Sequence, residues 1–121
     1  MNVKFFDLAK KIAKLSDHPK FKLGCVIVKK RKILGKGCNM IKTSPHSNHP
    51  FNMIHAELSA ILNADKQSEI RNADFYIYRE TKTGKLAQSF PCSYCLTLLE
   101  NCGIKNLYHT GDGCYVYSKL V

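Results

Sequence analysis

Two short segments limit what this chain can become more than any others. "HAE", His55 to Glu57, opens one apolar helical stretch, and "PCSYC", Pro91 to Cys95, opens another. One histidine and two cysteines are suitable ligands for a single borderline-soft cation, and a step of three residues at a helix start lets both sulfurs face the same ion. For His55, Cys92 and Cys95 to share one ion, the residues between them must bring the two helix N-termini to one point.

The patterning of the chain allows this. Phe5, Leu8, Ala9, Ile12 and Leu15 recur at helical spacing, with Lys4, Lys10, Lys11 and Lys14 off that stripe, which predicts an amphipathic helix over 3–15. "LGCVIV" and "KILGKGCNMI" read as two strands joined at "KKRK". The Pro-, Ser- and Asn-rich loop "KTSPHSNHPFN" leads into a helix over 55–66, rich in Ala and Leu. "ADFYIYR" reads as a third strand. A helix follows from Pro91 through "CSYCLTLLENCG", with Gly103 as its stop. "NLYHT" and "CYVYS" are strands four and five, joined by only "GDG" and so expected as an antiparallel hairpin. The order α-β-β-α-β-α-β-β predicts an α/β fold: a three-layer α-β-α arrangement of a five-stranded mixed sheet with helices on both faces. No repeat, linker or low-complexity segment suggests a boundary, so residues 1–121 are expected to form a single domain.

A chain of 121 residues can bury an adequate core without cross-links, so its six cysteines are read by position. Cys25, Cys38 and Cys102 sit among apolar residues and read as core. No stretch approaches about 18 apolar residues, and the N-terminal segment has no cleavable-leader pattern. The expectation is a soluble, cytoplasmic protein with no membrane association, whose Cys92 and Cys95 bind a metal or act in redox chemistry. The net charge of +10 favours an anionic partner, nucleotide or nucleic acid. Sixteen of the nineteen basic residues are lysines, however, and lysine on solvated faces also serves solubility.

Three ligands leave the fourth tetrahedral position of a zinc ion for water, the arrangement of a catalytic centre. Glu57, two residues after His55, can stand beside that water without ligating the metal and move a proton. Two blander readings exist: an isolated redox C-x-x-C, and a structural zinc domain in which Glu57 has no task. Cys38, His46 and His49 could hold a second ion, although a solvated loop is the preferred reading there. His18 and His109 read as structural or surface residues, and the alternating Tyr108, Tyr115 and Tyr117 as sheet packing.

The pattern H-x-E followed by P-C-x-x-C marks zinc deaminases acting on cytosine or adenine. With it, the chain resembles the cytidine and deoxycytidylate deaminase superfamily over nearly its whole length. "LGCVIVKKRKILGKGCNM" is similar to that family's first hairpin. The resemblance implies the cytidine deaminase-like fold, one catalytic zinc, Glu57 as the proton-moving residue, Asn39 on the substrate's sugar and the Ala56 backbone on its pyrimidine. It further implicates Ser89 and Phe90 beside the amino group, and a homo-oligomeric assembly.

The substrate is less constrained. An antiparallel final strand pair resembles the free-nucleoside enzymes, but these carry a glutamate two positions after the asparagine, where this chain has Ile41. Lys42 follows, with Thr43 and Ser44, a set suited to phosphate. The expected reaction is therefore hydrolytic deamination of a cytosine nucleotide, dCMP first. Cytidine or deoxycytidine comes second, cytosine and after it adenine in nucleic acid third, and a non-catalytic zinc-containing nucleic-acid-binding module last.

Overall fold

The computed structural model describes residues 2–17, 22–40, 55–64 and 67–120. Its elements run α1 (Val3–Ala13), β1 (Leu23–Lys29), β2 (Lys32–Cys38), α2 (Ala56–Leu62), a 3-10 turn (Gln67–Ile70), β3 (Asp74–Arg79), α3 (Ser93–Asn101), β4 (Asn106–Gly111) and β5 (Cys114–Lys119). The five strands form one mixed sheet in the order β2-β1-β3-β4-β5. β1 pairs antiparallel with β2 and β3, β3 pairs parallel with β4 across the α3 crossover, and β4 and β5 form the expected antiparallel hairpin.

Alternation along the strands divides the core in two. Cys25, Ile27, Phe75, Ile77 and Leu107 point to the face covered by α2 and α3, while Val26, Val28, Tyr76 and Tyr78 point to the face covered by α1. This is the three-layer α/β arrangement. On the α1 face, Phe6 stacks on Tyr115 with ring centroids 4.2 Å apart, and Tyr76 stacks on Tyr108 at 4.6 Å. That stack turns α1 so that Phe6, Ala9 and Ala13 are its buried residues, and it leaves Leu15 exposed although helical spacing placed it on the apolar stripe.

Three boundaries differ from expectation, two of them because a side chain bonds to a neighbouring element. α1 ends at Ala13, with Lys14 as its C-cap. β2 stops at Cys38 because the Asn39 side chain takes over from the ladder: its Oδ1 accepts the Leu23 N–H at 2.9 Å, and its own N–H donates to Leu23 O at 3.3 Å. α2 ends at Leu62, where Asn63 caps it and donates from Nδ2 to Lys36 O at 3.0 Å, tying the helix end to β2.

"KKRK" is the hairpin turn, with Lys30 and Arg31 at φ 52° and 65°. The Lys29 ammonium of that cluster donates to Arg71 O at 2.9 Å and to Glu69 O at 3.3 Å, so part of the sharpest basic run holds a neighbouring turn in place.

The helix that begins with "HAE" lies almost on the backbone of β2. A methyl group on Gly37 would come within 2.6 Å of Ser59 C and closer still to Ala60 N, and one on Gly35 would lie 2.5 Å from Ala60 O. Only glycine permits this approach.

Candidate active site

His55 and Cys92 occupy the N-cap positions of α2 and α3, and neither side chain caps its own helix. Ser, Thr, Asp and Asn are the good caps. Histidine and cysteine there serve another purpose. The Nδ1 of His55 lies 3.4 Å from Cys95 Sγ and 3.8 Å from Cys92 Sγ, and the three ligand atoms all lie within 4.8 Å of one another. Zinc–sulfur bonds of about 2.3 Å and zinc–nitrogen bonds of about 2.0–2.1 Å make a tetrahedral N···S edge of about 3.6 Å. The observed pair of distances brackets that value, so the three side chains fit one tetrahedral ion.

The electrostatics also call for a cation. Cys95 is fully buried; burial pushes its thiol well up, and Glu57 and Cys92 beside it push further in the same direction. A thiolate in that place requires a positive partner, which a metal supplies. None of the six cysteines is in a disulfide, and Cys92 is exposed at the mouth of the site.

Glu57, one residue into α2, is only 3% exposed. Burial raises its carboxyl above the usual range, offset in part by hydrogen bonds from its own backbone N–H and from Cys95. A carboxyl so placed, raised above its usual range and bordering the cavity, is suited to exchanging a proton with a group bound there.

These groups open on a cavity of about 210 Å³. His55, Glu57 and Cys92 line it together with Asn39 and Ala56. Ser89 and Phe90 complete this part of the wall. The bond from Leu23 to Oδ1 fixes the Asn39 carboxamide, whose NH₂ end is a donor suited to a hydroxyl.

Ser89 is buried, and its hydroxyl is part of a tight network. Its Oγ accepts the Thr110 N–H at 2.9 Å and lies 2.8 Å from Thr110 Oγ1, which is itself 2.7 Å from Ala87 O. The side chain of Ser89 therefore pins the segment that leads into "PCSYC". Phe90 is 45% exposed and meets the buried His109 edge-on at 5.2 Å. Lys42, His46 and His49 lie outside the described residues. Cys38, the other member of the second-ion set, has its Sγ 3.6 Å from Met40 Sδ.

Sequence reasoning overlooked Arg79 and Gln88, which line the same cavity. Arg79 ends β3, and strand alternation sends it to the side of Phe75 and Ile77, the side of the metal ligands. That alternation was readable in "FYIYR". What it could not give was the face on which the two helix starts converge.

The family model described as the cytidine and deoxycytidylate deaminase zinc-binding region matches residues 1–110. No curated protein sequence matches the chain. Among solved structures, the dCMP deaminase of cyanophage S-TIM5 in complex with dCMP and dUMP is similar with a TM-score of 0.67 and 20% identity, over 88% of this chain and 78% of that one. Its apo form gives 0.67 and 22% identity, over 88% and 79%. The cytidine deaminase of Burkholderia pseudomallei gives 0.69 and 20% identity, over 99% and 93%. At these identities the likeness is one of fold.

Proposed function

We propose that this chain, which belongs to the cytidine and deoxycytidylate deaminase zinc-binding family, hydrolyses the amino group of a cytosine nucleotide, with dCMP giving dUMP and ammonia as its preferred reaction. The observation that carries this is the clustering of His55, Cys92 and Cys95 beside a cavity that His55, Cys92 and the buried Glu57 line. Family membership makes the chain a zinc-binding deaminase; the nucleotide is our reading of the substrate.

His55, Cys92 and Cys95 would hold the ion, which supplies the Lewis acidity that lets water act as a nucleophile near neutral pH. Glu57 takes a proton from that water as oxygen adds to C4 of the cytosine ring. It delivers that proton to the ring nitrogen, then takes the proton of the new C4 hydroxyl and passes it to the amino group, so that the C4–N bond breaks, ammonia leaves and the C4 carbonyl forms. The Ala56 backbone holds the pyrimidine, and the fixed Asn39 carboxamide donates to the sugar. The main chain at Ser89 and Phe90 borders the departing amino group, and Lys42 is assigned to the phosphate. The expected setting is cytoplasmic and homo-oligomeric, with one zinc per chain.

Support for a nucleotide comes from the fold shared with a phage enzyme bound to dCMP and dUMP, and from the strongly basic chain. A free-nucleoside substrate is the second reading. It is favoured by the antiparallel β4–β5 pair and by the nearly end-to-end match to a cytidine deaminase. Cytosine in a nucleic acid ranks third.

The test is a deamination assay on zinc-loaded protein with cytidine, deoxycytidine, CMP, dCMP and a cytosine-containing single strand. Glu57→Gln should keep zinc and fold while losing at least roughly 10²–10⁴ in turnover. A variant that deaminates as well as the unaltered chain, or a zinc-bound protein silent on all five, would overturn the reading.

A further inference from the structure

We propose that Arg79 is the specificity-determining residue for the substrate's phosphate, a contact that makes this cavity a nucleotide site. The inference rests on the nucleotide reading above and adds to Lys42 a second side chain, Arg79, at the phosphate. Among the described residues lining the cavity, Arg79 is the one Lys or Arg, and it lines that cavity with Asn39 and Glu57.

Three observations place its guanidinium there. Arg79 pairs across the sheet with Leu23, the residue that Asn39 clasps through two hydrogen bonds, so Asn39 and Arg79 flank Leu23 on neighbouring strands. With strands about 4.8 Å apart, a sugar held by Asn39 has the Arg79 strand within the reach of one phosphate ester. The guanidinium is held at one nitrogen, its Nη1 donating to Gln88 O at 3.1 Å, while the Arg79 backbone N–H donates to Thr110 Oγ1 at the same distance and fixes the strand end from which the side chain springs. Finally, the chain uses lysine for sixteen of its nineteen basic positions. Arg31 lies in the hairpin turn and Arg71 is exposed, which leaves Arg79 as the arginine inside a site. A rigid, half-buried fork suits bidentate recognition of phosphate in a way that a flexible ammonium does not.

The experiment compares kcat/KM for dCMP and deoxycytidine in the unaltered chain, Arg79→Gln and Arg79→Lys. The ratio of the two substrates is the readout, because loss of fold or of zinc lowers both together. The unaltered chain should favour dCMP. Arg79→Gln should cut that preference by roughly 10- to 150-fold, the range for a hydrogen bond to a charged group, mainly through KM. Arg79→Lys should fall between the two. If the unaltered chain favours dCMP and Arg79→Gln keeps the same ratio, with or without a general loss of activity, Arg79 only braces Gln88 and this inference alone is overturned. If the unaltered chain favours deoxycytidine, the nucleotide reading fails and takes the inference with it.

Discussion

Replacing Gly37 with alanine should damage the reaction more than it damages the fold. The added methyl would lie 2.6 Å from Ser59 C, where ordinary contact begins at 3.4 Å, so α2 must retreat by about 0.8 Å or more. The obstacle is helix backbone, which no side-chain rotation relieves. Overpacking of this kind costs about 1–3 kcal/mol, or roughly 4–12 °C in Tm for a domain of this size. The catalytic cost is larger because His55 and Glu57 ride at the start of the helix that moves. A shift near 1 Å takes the His55 nitrogen beyond the ±0.2 Å tolerated in a metal site and costs about 10²-fold in turnover. The assay is a thermal melt, zinc per chain and kcat on the best substrate. Gly103→Ala serves as the control: it strains a backbone at φ 78° beyond the C-terminal end of α3, where the atoms nearest its methyl belong to the Arg71 side chain. Equal stability losses with equal turnover per bound zinc would refute the claim that the glycine seat sets the position of the site.

Two further outcomes are expected. Thr110→Val keeps the shape of a fully buried residue but removes a hydroxyl that accepts the Arg79 N–H and lies 2.7 Å from Ala87 O. It should lower unfolding free energy by about 1–3 kcal/mol in urea titration and reduce turnover, because the segment it anchors leads to Cys92. Stability should also fall at alkaline pH. Burial, the largest cause in each case, holds Tyr76, Tyr78, Tyr108 and Tyr115 above the usual tyrosine value. Unfolded tyrosines ionise near pH 10. The unfolded chain then binds fewer protons than the folded one, so stability is complete below about pH 10 and declines above it. Tyr78→Phe should make the decline shallower in melts between about pH 9 and 12, and an unchanged slope would count against burial as its cause.

The element order, the hairpins and the convergence of "HAE" with "PCSYC" were legible because periodicity, turn residues and ligand spacing are local signals. Other features depended on partners distant in sequence. α2 stops at Leu62 because Asn63 reaches Lys36, and β2 stops at Cys38 because Asn39 reaches Leu23; helix-forming and β-forming tendencies say nothing of either bond. Gly35 and Gly37 looked like ordinary strand glycines until a helix was seen lying on them. Arg79 looked like the charged end of a strand. It becomes part of a site only when the fourth strand and the "PCSYC" segment are placed around it.

The hairpin turn at Lys30 and Arg31 has a consequence for how the sequence can change. Two side-chain-bearing residues sit in the left-handed region, at roughly 1–2 kcal/mol each, where Asn-Gly would fit without strain. The turn closes the end of the hairpin opposite Asn39, about 20 Å of strand away from that residue. Relief of that strain would raise the stability margin without altering the cavity. A lineage of such chains can therefore absorb destabilising exchanges at positions such as Arg79 by repairing the turn, and so drift between substrates while remaining folded.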